Sequence, residues 1–244
     1  MLEYLLLWIV FNNVNKSSEL TPGFGFGAWI VADSTTILFD TGGDGNTLMN
    51  NINSLGLDPK DVDLVVISHN HWDHIGGLNK FLEVAKENVK IYVPAKAFKD
   101  IQKEYPAITL VAVKDPIEIA DGVWSSGEIK GRYNLLPIYE HALVLFTKEG
   151  LVIITGCSHP RIDKIVKEVH KMFPDEPICL VTGGFHLGAT TRYKINKIAN
   201  SLQKLEVKYI APSHCTGDRA IDIFCEKWKD KFIDLSLGRK FEIK

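Results

Sequence analysis

Three imidazoles and one carboxylate fall within six consecutive residues, His69-Asn70-His71-Trp72-Asp73-His74. Imidazole and carboxylate together suit zinc, iron or manganese. Residues two apart on an extended segment point the same way, so His69 and His71 can grip one ion. Asp73 and His74 follow where the chain turns, ahead of Gly76-Gly77, which permits close approach, and can face a second ion. The spacing differs from His-Glu-x-x-His, which uses one helix face. Four side chains do not close two coordination shells, so the remaining ligands must come from distant segments.

Six of the eight histidines, His69, His71, His74, His159, His186 and His214, sit just after predicted strands. Ligands of open α/β sheets gather at the carboxyl ends of strands, so this placement points to one shared site. His141 opens a strand and has a weaker claim to that site. His170 lies in a predicted helix and is expected on the surface. Cys157 and Cys215 stand beside histidines, whereas Cys179 and Cys225 lie in apolar surroundings and are expected in the core.

Two look-alike motifs are set aside. Gly23-Phe24-Gly25-Phe26-Gly27-Ala28 loosely fits a dinucleotide fingerprint, but a strand-like run follows it where a helix is required. It reads better as a tight loop at the edge of the site, with Phe24, Phe26 and Trp29 covering a ligand or the core. Gly156-Cys157-Ser158-His159-Pro160 lacks the final glycine of a nucleophile elbow, which argues against serine chemistry.

The elements that must position these groups follow a rhythm repeated in two halves. Residues 5–11 form an apolar run with Glu3 ahead of it, no basic leader segment and no small-residue cleavage site, and read as a buried first strand. Residues 29–32 and 36–39 read as strands ending at Asp40-Thr41-Gly42-Gly43. Leu48, Ile52 and Leu55 fall at helical spacing, and residues 64–67 form the strand that delivers the hexapeptide. A further helix begins near Leu78.

In the second half, residues 142–146 and 151–154 read as a hairpin ending at Thr155-Gly156-Cys157-Ser158-His159. Ile162, Ile165, Val166, Val169 and Phe173 mark an amphipathic helix. A strand over 178–181 ends at Gly183-Gly184-Phe185-His186. Ile195, Ile198, Leu202 and Leu205 mark another helix, and a strand over 207–211 ends at Pro212-Ser213-His214-Cys215. Between the halves, residues 91–93 and 110–113 read as strands and 95–105 as a helix. The rest of the segment 88–132 reads as a loop-rich connection. Two such sheets packed face to face give an α/β (α+β) four-layered αββα sandwich, with residues 1–244 as one domain.

Bulk properties narrow the function classes. The 244 residues carry 45% hydrophobic and 24% charged side chains and a net charge of −2, so bulk charge gives no pointer to nucleic acid as partner and leaves a local basic cleft open. Four dispersed cysteines with no Cys-x-x-Cys pair are expected as reduced thiols in a cytoplasmic protein. No run reaches the length of a membrane-spanning helix.

The residues also carry a resemblance. Asp40-Thr41-Gly42, the His-x-His-x-Asp-His hexapeptide and the later strand-end histidines occur in the order of the metallo-β-lactamase superfamily, which the chain resembles over nearly its whole length. Leu38-Phe39-Asp40-Thr41-Gly42, Ile67–Ser68 with the hexapeptide, Thr155-Gly156-Cys157-Ser158-His159, Gly183-Gly184-Phe185-His186-Leu187 and His214-Cys215-Thr216-Gly217 are similar to one subgroup. That subgroup is related to the dihydropterin ribofuranosylaminobenzene phosphate synthase of methanopterin biosynthesis. The resemblance implies His69, His71, Asp73 and His74 as metal ligands, with His214 completing the second ion's shell. Asp40 is then either a carboxylate orienting an imidazole or simply a turn residue.

This chain departs from the commonest superfamily pattern in having Cys157 where a bridging aspartate stands, and His159 two residues later. His159 is expected to bind the first ion. Cys157 is either a thiolate ligand or a small buried residue. His186 is a further ligand, a general acid or a core residue. Glu128 is expected on the surface, and Arg132, Arg161 and Arg192 are candidates to clamp a phosphate.

The expected cofactors are two divalent ions, zinc first, with iron or manganese as alternatives. The expected activity is metal-dependent hydrolysis of an ester, phosphoester or related small molecule by an activated water, with Asp73 and His186 as catalytic groups. The alternatives are a pterin/phosphoribosyl condensing synthase and a metal-dependent binding or sensor protein. The oligomeric state is not legible.

Overall fold

A computed structural model describes every residue from Met1 to Lys244. The first half builds β1 (Leu5–Asn12), β2 (Phe26–Ala32), β3 (Thr35–Phe39), α1 (Gly45–Ser54), β4 (Leu64–Val66), α2 (Trp72–Ile75), α3 (Leu78–Leu82), β5 (Lys90–Pro94), α4 (Phe98–Glu104) and β6 (Leu110–Val113). Then come β7 (Ile117–Ala120), β8 (Val123–Ser125), β9 (Ile129–Tyr133), β10 (Leu136–Glu140), β11 (Leu143–Thr147) and β12 (Gly150–Thr155). The chain closes with α5 (Ile162–Met172), β13 (Ile178–Gly184), α6 (Arg192–Lys204), β14 (Tyr209–Ser213), α7 (Asp218–Trp228) and β15 (Lys240–Ile243).

These strands form a seven-stranded sheet in the order β15-β1-β2-β3-β4-β5-β6, a six-stranded sheet in the order β14-β13-β12-β11-β8-β7, and the separate β9-β10 hairpin. Strand alternation explains how they stack. Leu5, Leu7, Ile9, Ile37 and Phe39 of the first sheet share one core with Leu143, Leu145, Val152 and Ile154 of the second. Val10, Leu38 and Val65, on the opposite face of the first sheet, pack on Leu48, Ile52 and Phe81 of its helices. Leu151, Ile153 and Val181 do the same against Ile165, Val169, Ile198 and Phe224. Both faces of each sheet's central strands are buried, which is why those strands read as continuous apolar runs. The result is the expected αββα sandwich.

Within the first sheet β3, β4, β5 and β6 run parallel, and within the second so do β12, β13 and β14. The carboxyl ends of β3, β4, β12, β13 and β14 therefore deliver Asp40, His69, Cys157, His186 and His214.

Several elements differ from the sequence expectation. The connection after β6 is not loop-rich but contains β7, β8 and β9. These strands are short and partly exposed, so they lack an apolar run to announce them. The helix expected over 95–105 spans only Phe98–Glu104, and the strand expected over 207–211 lies two residues later at Tyr209–Ser213. Cys225, expected in the core, is exposed on α7, whereas Cys179 is buried; all four cysteines are unpaired. His170 is half-buried rather than exposed. No helix is long and apolar enough to cross a membrane.

Candidate metal centre

The hexapeptide leaves β4 extended and then bends into the one-turn helix α2, where His74 N donates to His71 O at 3.0 Å. The bend brings the His74 ring back to 4.2 Å from that of His69, centroid to centroid, and carries Asp73 toward His74 and His214. His69 Nδ1 contacts Ser68 Oγ at 2.9 Å, which leaves its Nε2 beside His71 Nδ1 at 3.1 Å.

His74 is fixed from both ends. Asp40 Oδ2 accepts from His74 Nδ1 at 2.7 Å, and its carboxylate also accepts from Ser68 N and Ser68 Oγ, each at 2.7 Å. Thr41 N donates to His74 O at 2.8 Å. Asp40 is thus both turn residue (φ 56) and imidazole partner. Its His74 contact turns the other ring nitrogen, Nε2, toward Asp73 Oδ2 at 3.5 Å and Cys157 Sγ at 3.1 Å.

The second half supplies matching parts. His159 Nδ1 is hydrogen-bonded to Glu140 Oε1, and His159 N donates to the same oxygen at 3.1 Å. The His159 ring lies 4.9 Å from that of His69 and 4.8 Å from that of His71, centroid to centroid. His214 Nδ1 is held by Asn13 Oδ1 at 2.7 Å. Its Nε2 lies 3.2 Å from Asp73 Oδ2, yet without hydrogen-bond geometry, and is buried with no partner.

The cluster therefore has two lobes. Ligand atoms of Asp73, His74, Cys157 and His214 lie within 4.8 Å of one another, and so do those of His69, Cys157 and His159. His71 joins the second lobe through its contact with His69.

Electrostatics show what such a cluster asks for. Asp40, Asp73 and Glu140 are buried, and their ionic partners are imidazoles, not lysine or arginine. Buried carboxylates call for a compensating cation. Burial and the neighbouring imidazoles hold His69 well below its usual range, and burial first, then His159, pushes His71 down to about 4. Neutral imidazoles are the form that binds metal. Burial works against a charge on His74, but Asp40 and Asp73 outweigh it and push the group up to about 10, so the carboxylates favour positive charge at this position. The donor set and the orphaned His214 Nε2 fit a metal centre.

Backbone strain gathers at the same place. Of ten non-glycine residues with positive φ, five are Asp40, Ser158, Arg161, His186 and His214, all in the segments that follow strands around the cluster. Each such conformation costs on the order of 1–3 kcal/mol and persists where the surroundings impose it. Gly25, at φ +145, presses against the Asp73 carbonyl and lies where a Cβ would be 2.8 Å from Gly43 N. The glycine-rich stretch is thus a tight loop at the site's edge. Phe24 stacks on Trp72 at 5.8 Å and meets the His214 ring at 5.1 Å, while Phe26 and Trp29 belong to the core.

The remaining candidates divide. His186 is exposed, with its ring 4.4 Å from that of His159, and its ligand atom groups with Cys157 and Cys215 rather than with either lobe. Contact with Cys215 raises its pKa, against the effect of burial. His141 turns away: its ring bonds Ser125 Oγ at 2.7 Å and Ile67 O at 2.9 Å. Glu128 accepts from Lys96 N outside the cluster. Arg132 is exposed, Arg192 faces Glu226 at 3.7 Å, and Arg161 is tied to Asp163 at 2.8 Å beside the site.

Sequence reasoning missed Glu140, Asn13 and Tyr133. The Tyr133 ring, on the β9-β10 hairpin, lies 4.6 Å from His71 and 5.3 Å from His159. The one available signal was for Glu140, a carboxylate next to His141 at a strand end. Nothing local marks the other two.

A family model described as the metallo-beta-lactamase superfamily matches residues 20–214. Two proteins of Methanocaldococcus jannaschii are similar along most of the chain. One, 7,8-dihydropterin-6-methyl-4-(beta-D-ribofuranosyl)-aminobenzene-5'-phosphate synthase, is 30% identical over 243 residues, covering 83% of each chain. The other, an uncharacterised protein, is 29% identical over 227 residues, covering 81% of this chain and 85% of its own. A solved metal-dependent hydrolase of the beta-lactamase superfamily matches with a TM-score of 0.80 at 30% identity, over 98% of this chain and 99% of that one. A diphosphatase from the PhnP family matches with a TM-score of 0.64 at 16% identity, over 99% and 98%, a likeness of fold alone.

Proposed function

The chain belongs to the metallo-β-lactamase superfamily, and from that premise we propose that it is a metal-dependent hydrolase of an ester, phosphoester or related small molecule. The observation that carries this reading is the two-lobed convergence of His69, His71 and His159 on one side and Asp73, His74 and His214 on the other, with His214 Nε2 buried and unpartnered. Two divalent cations, zinc first and iron or manganese as alternatives, would supply electrophilic polarisation of the substrate and lower the pKa of a water toward neutrality.

The chain's own residues do the rest. Asp40, Glu140 and Asn13 each bind one ring nitrogen of His74, His159 and His214, so the other nitrogen of each ring is the one offered. Asp73 stays ionised between His74 and His214 and orients the attacking water. His186, exposed at the rim beside His159, donates a proton to the leaving group. Phe24 and Trp72, stacked on each other and largely exposed, form an apolar rim on the Asp73–His214 side.

A cavity of about 660 Å³ opens from His159 and His186 between α5 and α6, and Arg161, Lys167, Lys194 and Lys197 line it. Four cations against the single carboxylate of Asp163 favour a substrate with an anionic, phosphate-like end. The 30% identity to the M. jannaschii synthase supports a second reading on the same residues, condensation at a phosphorylated ribosyl centre with a pterin.

The test is to load the protein with zinc, iron(II) or manganese(II) and assay phosphoesters, thioesters, lactones and β-lactams. Turnover that falls by orders of magnitude in His69→Ala, together with lost metal by elemental analysis, is the expected result. Full turnover in metal-free protein would overturn it. Silence across the panel, with product formed from a pterin and a phosphoribosyl substrate, selects the synthase reading.

A further inference from the structure

Cys157 Sγ is the one ligand atom common to both lobes of the cluster. It stands 3.1 Å from His74 Nε2 in one lobe and is grouped with His69 and His159 in the other. Its position is imposed by the backbone. Gly156 passes so close to Ser68 and Asp40 that a Cβ there would collide with Ser68 Oγ and lie 2.9 Å from Asp40 Oδ2. The end of β12 is therefore pressed onto the end of β4, and the next side chain, 3% exposed, falls between the two sets of histidines.

Two cations held a few ångströms apart repel each other, and an anion between them offsets that repulsion. The other buried anions are committed elsewhere. Asp40 is bound to His74 and Ser68, Glu140 to His159, and Asp73 faces His74 and His214 in one lobe alone. Cys215 Sγ lies 3.3 Å from Cys157 Sγ, but it groups with His186 and is absent from both lobes.

Resting on the dinuclear reading above, we propose that Cys157 binds as a thiolate shared between the two cation positions. Its proton passes to solvent as the ions bind, and no oxidant is involved. A sulfur donor at the shared position favours zinc or iron over manganese, because soft ligands select soft and borderline ions.

Cobalt(II) substitution of the intact protein tests this without any substrate. Visible ligand-field bands report cobalt bound by any donor, and a near-ultraviolet charge-transfer band reports thiolate. The expected result is a charge-transfer band that grows over both equivalents of cobalt. Cys157→Ser loses it while keeping the visible bands, and Cys215→Ser retains it. A band absent from cobalt-loaded wild type, or lost in Cys215→Ser and kept in Cys157→Ser, overturns the thiolate assignment and leaves the metal centre standing. A band complete at one equivalent overturns the sharing. Wild type that binds no cobalt overturns the dinuclear reading and this inference with it.

Discussion

Asp40 Oδ2 accepts a hydrogen bond from His74 Nδ1 at 2.7 Å, and this contact decides which nitrogen of His74 faces the cluster. The bond links the end of β3 to the helix that follows β4, so a loop of the first strand pair sets the orientation of a side chain in the hexapeptide. Asp40→Ala removes this partner and also strands Ser68 N, which is buried. Metal affinity is expected to fall about 10–100-fold, measured by competition with a chromophoric chelator. Stability is expected to fall by about 1–3 kcal/mol, measured by urea unfolding of the metal-free protein. An unchanged affinity would show that His74 does not need this partner.

Glu140 plays the corresponding part for His159. Glu140→Gln keeps the shape and an acceptor oxygen for His159 Nδ1 but removes the negative charge that makes the imidazole a stronger ligand. One metal equivalent is expected to weaken by about 10–100-fold while the other is retained. Elemental analysis after graded dialysis against chelator reads the two separately. Equal weakening of both equivalents would contradict a role confined to His159.

His141 predicts a pH dependence of stability that is separate from metal binding. Burial pushes its pKa down to about 4 from the usual 6.5 of an imidazole. Its ring is neutral, with Ile67 O as acceptor on one side and Ser125 Oγ on the other. A depressed histidine pKa means that the unfolded chain binds the proton more readily. The contribution is therefore whole above pH 6.5 and is lost as pH falls from 6.5 toward 4, to a total of about 3 kcal/mol. Comparing wild type with His141→Gln by denaturant unfolding at about pH 7.5, above that window, and at about pH 4.5, near its lower end, isolates the effect. Parallel slopes for the two proteins would refute it.

The cations lining the cavity between α5 and α6 make a kinetic prediction. Replacing Lys194 and Lys197 together with glutamate is expected to raise KM for a phosphorylated substrate by about tenfold or more, with a smaller change in kcat. Steady-state kinetics on whichever phosphoester the metal-loaded protein turns over checks it. An effect equal for neutral and phosphorylated substrates would remove the cavity as an anion site.

The elements that proved legible are those with long apolar periodicity. The first strand and helices α5 and α6 announce themselves because the strand is almost wholly buried and each helix buries a continuous stripe. Strands β7, β9 and β10 do not, since residues such as Glu118, Lys130, Arg132 and Leu136 leave them partly exposed and break the alternation. Cys225 misleads for a related reason: Ile223 and Phe224 beside it are buried, but its own position on the helix points outward.

At the site, the sequence alone determined that His69, His71, Asp73 and His74 lie together, because six residues of chain cannot separate them. It also determined that His159, His186 and His214 follow strands, because the apolar runs before them are unmistakable. Only the tertiary structure decided which groups complete each lobe. Asn13 meets His214 across 201 positions, and Cys157 meets His74 across 83. Such contacts follow from how two sheets pack and where parallel strands end, and no local propensity encodes them. The same packing turned Glu140 inward to His159 and His141 away from the cluster, a choice that two adjacent polar residues cannot reveal until their neighbours are in place.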